Sequence, residues 1–167
     1  RYSTIASTGV EPIEVDFAGD FGGSIDCLAP ATGGNEYASY LFAIPAAVLA
    51  EVFAAYGNRL LEQNVRTYLQ ARTNVNKGIL KTIADEPEMF LAYNNGLTAT
   101  ASEVVLKEQA VGRLSISLMK NFQVVNGGQT TASLLYARDS LKKDLSNVYV
   151  QVKLSVIDEE KIDKVVP

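Results

Sequence analysis

The residues with most chemistry to offer are Gln123-Val124-Val125-Asn126-Gly127-Gly128-Gln129-Thr130-Thr131, which read as a strand running straight into a helix. The first N–H groups of such a helix lack intrahelical acceptors and carry the positive end of its dipole, so the bend attracts anions. Gly127 and Gly128 remove the Cβ atoms that would hold a phosphate at a distance, while Asn126, Gln129, Thr130 and Thr131 add donors and acceptors without fixed charge. That combination suits a phosphate or another polar ligand. It is not a G-x-x-x-x-G-K-[ST] loop, because the spacing and the lysine are both missing. A purely structural reading also stands: the glycines make a tight turn and Thr130 caps the helix.

A second polar turn, Tyr93-Asn94-Asn95-Gly96, carries the Asn-Gly pair of a two-residue β-hairpin. Arg59, Glu62 and Arg66 fall at i, i+3 and i+7 of a helical pattern and share one stripe. A Glu62–Arg66 pair on a solvated face is worth little. If the stripe faces the glycine-rich bend, Arg66 offers it the planar fork that phosphates and carboxylates favour. Asp85, Glu86 and Glu88 read as a solvated helix end with no second acidic cluster to complete a metal pair, and no metal site is expected. With no histidine and one cysteine, Cys27, the chain has neither histidine chemistry nor an internal disulfide, and the usual zinc and haem ligand sets are excluded. No residue is assigned a catalytic role and no cofactor is identified.

The elements that must position these residues follow from periodicity. Short extended pieces at 13–17 and 24–28 are separated by Gly19, Asp20, Gly22 and Gly23, and Gly33-Gly34-Asn35 marks another turn. Residues 37–44 read as a strand, and Pro45 suits a first helical position. Val48, Leu49, Val52, Phe53 and Tyr56 then keep helical spacing up to a Gly57 cap. Residues 58–72 read as a second helix. A third follows Asn74 or Asn76 as cap, buries Ile79, Leu80 and Ile83, and stops before Pro87. From Met89 the period drops to two, predicting an antiparallel meander through Phe90 and Ala92, 97–106, 113–118 and 122–125. A helix over 129–141 burying Leu134, Leu135 and Leu141 precedes the cleanest alternation, Val148, Val150, Val152, Leu154 and Val156, and implies a crossover.

These patterns predict one mixed α/β domain with a largely antiparallel sheet: an extended acidic part at 1–44, a helical basic part at 45–88, and a sheet with its crossover helix at 89–167. With 167 residues and 47% hydrophobic content, the chain can bury a sizeable core. The net charge of −4 conceals an asymmetry. Up to Gly57 only Arg1 opposes Glu11, Glu14, Asp16, Asp20, Asp26, Glu36 and Glu51. From 59 to 81, Arg59, Arg66, Arg72, Lys77 and Lys81 face only Glu62. This steers an anion toward the middle, or simply marks a solvated face. No signal peptide or membrane span is recognisable, so a cytoplasmic, membrane-free protein is expected. A start without Met and an end at Val165-Val166-Pro167 read as a piece of something longer.

Three segments in order, Asn58-Arg59-Leu60-Leu61-Glu62-Gln63-Asn64-Val65-Arg66 with Asn76 and Ile79, Phe90-Leu91-Ala92-Tyr93-Asn94-Asn95-Gly96-Leu97-Thr98, and residues 125–131, resemble the abortive infection phage resistance family, AIPR. The resemblance covers 58–158 and implies a bacterial defence role in which an infected cell shuts down before phage can mature. It also carries the family's polar signature onto Asn64, Arg66, Asn94, Asn95, Gly96, Asn126, Gly127, Gly128, Gln129 and Thr130. More distantly, the bend is similar to the ParB and sulfiredoxin type of domain, where His and Arg following such a turn hold nucleotide phosphate. Thr130 and Thr131 stand in their places, so either Arg66 or Arg72 supplies the charge from another helix or that ancestral activity is gone. The expected partner is a nucleotide or nucleic-acid phosphate; the alternative is a protein partner of a non-catalytic interaction domain.

Overall fold

The alternating apolar residues near the end of the chain build the centre of the main sheet. A computed structural model describes residues 13–29, 38–60 and 75–157. Strand β8 (Tyr149–Val156) pairs antiparallel with β3 (Ala38–Pro45) over eight residues and parallel with β4 (Leu97–Ala101). Strand β7 (Gln123–Asn126) lies antiparallel on the far side of β4, giving the order β3-β8-β4-β7. Val150, Val152 and Leu154 are buried between exposed Tyr149, Gln151 and Lys153, as period-two alternation requires.

A second sheet is organised on β6 (Arg113–Lys120), which carries β5 (Glu103–Ala110) on one edge and β1 (Glu14–Asp16) and β2 (Ile25–Cys27) in tandem on the other. The two sheets meet where Leu28 and Leu41 exchange backbone hydrogen bonds of 2.8 and 2.9 Å. Burial on β6 departs from simple alternation. Ser115 and Ser117 are buried while Leu114 and Leu118 are only half so. The Ser117 hydroxyl donates to the Val105 carbonyl, and Ser115 accepts from the Gln109 side chain, so neither is left unsatisfied.

Five helices are present among the described residues: α1 (Phe17–Asp20), α2 (Ala46–Tyr56), α3 (Lys77–Asp85), α4 (Phe90–Tyr93) and α5 (Gly128–Asp139). Pro45 ends β3 instead of opening α2, whose first amide, that of Ala46, bonds to the Val148 carbonyl at 2.8 Å. Gly57 closes α2 as expected, at φ 59°, with its N–H on the Phe53 carbonyl. A 3-10 turn over Gly57–Leu60 follows, and the helix expected over 58–72 lies mostly outside the described residues. So does the turn expected at 33–35. Helix α5 packs against α2 and α3 and is buried almost all round, from Gly128 through Leu134 to Ala137. Leu141 falls beyond its end and is exposed, contrary to expectation.

The stretch 87–101 departs most from the meander. Pro87–Met89 is a 3-10 turn and Phe90–Tyr93 a turn of α-helix, so Phe90 and Ala92 belong to no strand. Phe90 is 1% exposed and anchors that turn in the core. The run expected over 97–106 is two strands broken at Ser102, the first of which joins the main sheet and the second the other.

Leu154, fully buried at the centre of β8, is expected to lose about 2–5 kcal/mol of stability on substitution to Ala, from the lost transfer energy and the cavity left behind. Urea unfolding of Leu154→Ala, with an unchanged dependence on denaturant, checks this.

Candidate functional site

Antiparallel pairing places the residue that ends one strand beside the residue that begins its partner. The pair Thr98 and Asn126 therefore brings the bend after β7 against the segment before β4. These are the two polar turns of the sequence, about thirty residues apart in the chain and adjacent in space. They line one cleft, formed by residues 93–96 and 126–130 with Ile79 and Thr98, of about 380 Å³.

Residues 94–96 are not a hairpin turn. Asn94 leaves α4 in an extended conformation (φ −94°, ψ 140°), and its side-chain oxygen accepts the Gly96 N–H at 2.7 Å, an Asx turn that aims the chain into β4. Asn-Gly chemistry is thus used for a helix-to-strand elbow, because the segment before it is helix α4 and not a strand that could pair with β4. Gly96 sits at φ 77°, and a Cβ there would lie 2.3 Å from the Gln151 carbonyl oxygen.

The bend after β7 turns at Gly127, with φ 122° and ψ 25°. A Cβ at this position would meet Leu97 Cδ2 at 2.3 Å. Helix α5 starts at Gly128 and has no side-chain cap. Thr130 therefore does not cap the helix. It is buried, and its hydroxyl donates to Asn94 Oδ1 at 3.2 Å, which ties α5 to the elbow. Thr131 is 2% exposed and turned away from the cleft wall, with its hydroxyl on the Gly127 carbonyl at 3.1 Å.

The polarity of the cleft is set by groups that can act in only one sense. A backbone N–H can only donate, so Gly96 N–H fixes Asn94 with its oxygen toward the turn, and Thr130 adds a second donor to that oxygen. Asn94 Nδ2, with two hydrogens, is left without a partner among the described residues. A parallel chain of constraint runs through Asn76, the N-cap of α3. Its Oδ1 accepts the Ile79 N–H at 3.1 Å, so its Nδ2 donates, at 3.1 Å, to Gln129 Oε1. With its oxygen so engaged, Gln129 keeps its own amide N–H groups as donors. This second chain is solvent-exposed and water competes with it, so the part-buried Asn94 arrangement is the firmer of the two. Neither a carboxylate nor a cationic side chain lines the cleft among the described residues, and Tyr93 is its one ionisable group.

Of the residues expected at a site, the structure gathers Asn94, Asn95, Gly96, Asn126, Gly127, Gly128, Gln129 and Thr130 in this cleft. Thr131 lies behind it. Asn64, Arg66 and Arg72 lie outside the described residues. Beyond their place in the family-like segments, the sequence marks Asn76 only as one of two possible helix caps and Tyr93 only as part of a polar turn. No spacing rule signals that a cap three residues before Ile79 will also orient a glutamine 53 residues away.

A family model described as AIPR protein matches residues 61–166, the larger part of the 167-residue chain. No curated protein and no solved structure matches the chain.

Both glycines in the turns are expected to resist substitution, though unequally. Gly96→Ala drives a Cβ into backbone that cannot rotate away, whereas Gly127→Ala meets the end of a leucine side chain. Positive φ adds strain of about 1–3 kcal/mol in either case. Thermal unfolding should show both variants destabilised, Gly96→Ala more so.

Proposed function

The chain belongs to the AIPR protein family, which suggests an abortive-infection role in phage defence, and from that premise we propose that its polar cleft binds the phosphate of a nucleotide or nucleic acid. The single observation that carries the reading is the orientation of Asn94, whose oxygen is held by Gly96 and Thr130 so that only donor atoms remain for a ligand. A cleft that offers donors selects a ligand rich in acceptors. The uncapped start of α5 adds backbone N–H groups and the positive end of a twelve-residue helix along the same wall. Its size falls within the roughly 300–1,000 Å³ of small-molecule sites.

Phosphate bound here displaces no carboxylate among the described residues, whose lining of the cleft carries no negative charge. Arg66 is proposed as the cationic partner, with Asn64 beside it in the family's polar signature. The reading is one of binding. Among the described residues, no group lining the cleft is paired with a base as an activated nucleophile, and no reaction is assigned.

A thermal-shift series on the full-length protein tests this with ATP, inorganic phosphate and a short oligonucleotide. A ligand at a hundredfold excess over its Kd stabilises the folded state by about 2.7 kcal/mol, a rise of roughly 5–10 °C for a domain of this size. Asn94→Asp keeps the oxygen that Gly96 and Thr130 need, but replaces the free amide by a carboxylate. It is expected to unfold near the wild-type temperature without ligand and to lose the shift entirely. Gln129→Glu and Arg66→Ala should weaken it. A wild type indifferent to every phosphate compound, or an Asn94→Asp variant that responds like wild type, defeats the proposal.

A further inference from the structure

A smaller hollow of about 180 Å³ adjoins the cleft and shares Ile79, Tyr93 and Asn94 with it as a common wall. It lies between α3, which contributes Gly78, Ile79 and Thr82, and α4, which contributes Phe90 and Tyr93. We propose that it is a base subsite and that the ligand is a nucleoside 5′-phosphate unit, its phosphate in the larger cleft and its ring in the hollow; this rests on the phosphate reading above.

Three features argue for a ring. The hollow has room for about six waters at their liquid volume of roughly 30 Å³ each, too little for a whole nucleotide and enough for a flat heterocycle. Its walls combine Phe90, Tyr93 and Ile79, the surroundings a π-face prefers, with the polar side chains of Asn76, Thr82 and Asn94. Those polar atoms are already partly committed. Asn76 Oδ1 serves the Ile79 N–H, and the Thr82 hydroxyl donates to the Gly78 carbonyl, so Thr82 keeps acceptor capacity only. Asn94 Nδ2 stands on the wall between the two hollows and supplies a donor at the junction, where a sugar or phosphate oxygen would pass. Tyr93, 57% exposed, then covers the ring from the solvent side, which gives an exposed aromatic residue something to pack against.

Isothermal titration of the full-length protein with adenosine 5′-phosphate, cytidine 5′-phosphate, ribose 5-phosphate and inorganic phosphate tests the subsite. At least one nucleoside phosphate should bind about tenfold or more tightly than ribose 5-phosphate, the lower range of what one stacked base contributes. Thr82→Phe, which fills the hollow from α3, should remove that advantage and leave ribose 5-phosphate binding intact. A 5′-phosphorylated trinucleotide separates the sources: tighter binding than the mononucleotide identifies a strand end, and weaker binding a free nucleotide. Equal affinity for ribose 5-phosphate and every nucleotide overturns the base subsite while the phosphate reading stands. Binding of none of them overturns both.

Discussion

The structure around the cleft depends on one oxygen. Asn94 Oδ1 receives the Gly96 N–H and the Thr130 hydroxyl, and through them it fixes three elements against each other: the end of α4, the start of β4 and the first turn of α5. The geometry that makes this possible is set by the sheet. With β4 and β7 antiparallel, the chain entering β4 and the chain leaving β7 must lie at the same edge, and register at Thr98 and Asn126 makes them neighbours. A polar side chain at that junction is therefore partly withdrawn from water, and an unsatisfied oxygen there would cost about 1–3 kcal/mol. Two donors answer it. What remains exposed is the amide nitrogen.

Directional control of this kind gives the cleft a definite polarity although no charged side chain lines it among the described residues. Carboxamides and hydroxyls are cheaper to desolvate than ions, and they need not neutralise at any pH within the physiological range. Their weakness is ambiguity, since an amide can be turned to offer either end. Backbone N–H groups remove that ambiguity here, at Gly96 for Asn94 and at Ile79, by way of Asn76, for Gln129. On the proposed reading, affinity is carried by pre-set geometry more than by Coulombic attraction, which is compatible with a chain whose net charge is negative.

Much of this was legible in the sequence where local pattern and tertiary role coincide. The Gly57 end of α2 and the Asn76 cap of α3 are satisfied by near neighbours, and the alternation in β8 follows from burying one face whichever strands flank it; all stand in the structure. Residues 87–96 were not legible, because Phe90 and Ala92 match a two-residue period and one turn of helix equally well over so short a run. Asn-Gly is no better a guide: the same pair serves a hairpin and an elbow, and what distinguishes them is that the segment before it is helix α4 and not a strand. Thr130 and Thr131 show the same limit within one helix. Adjacent positions lie about 100° apart around the axis, so one hydroxyl reaches the elbow and the other returns to its own backbone, and nothing in the residue types says which. The burial of Ser115 and Ser117 was not legible either, because the groups that satisfy them are on the neighbouring strand.

The two walls of the cleft differ in how firmly they are held, and that difference bears on how it would receive a ligand. Helix α5 buries most of its length, and the bend that precedes it rests on Leu97, which is 2% exposed and in contact range of any atom added to Gly127. That floor cannot shift without disturbing the sheet. Helix α3 buries only Ile83 fully, and it is joined to α5 by hydrogen bonds from Asn76 to Ser133 and Gln129 as well as by packing. Few buried apolar contacts and exposed hydrogen bonds are the marks of low local stability. Shape is thus dictated by the rigid α5 side, while α3, carrying Ile79 into both hollows, is the side able to adjust to what enters.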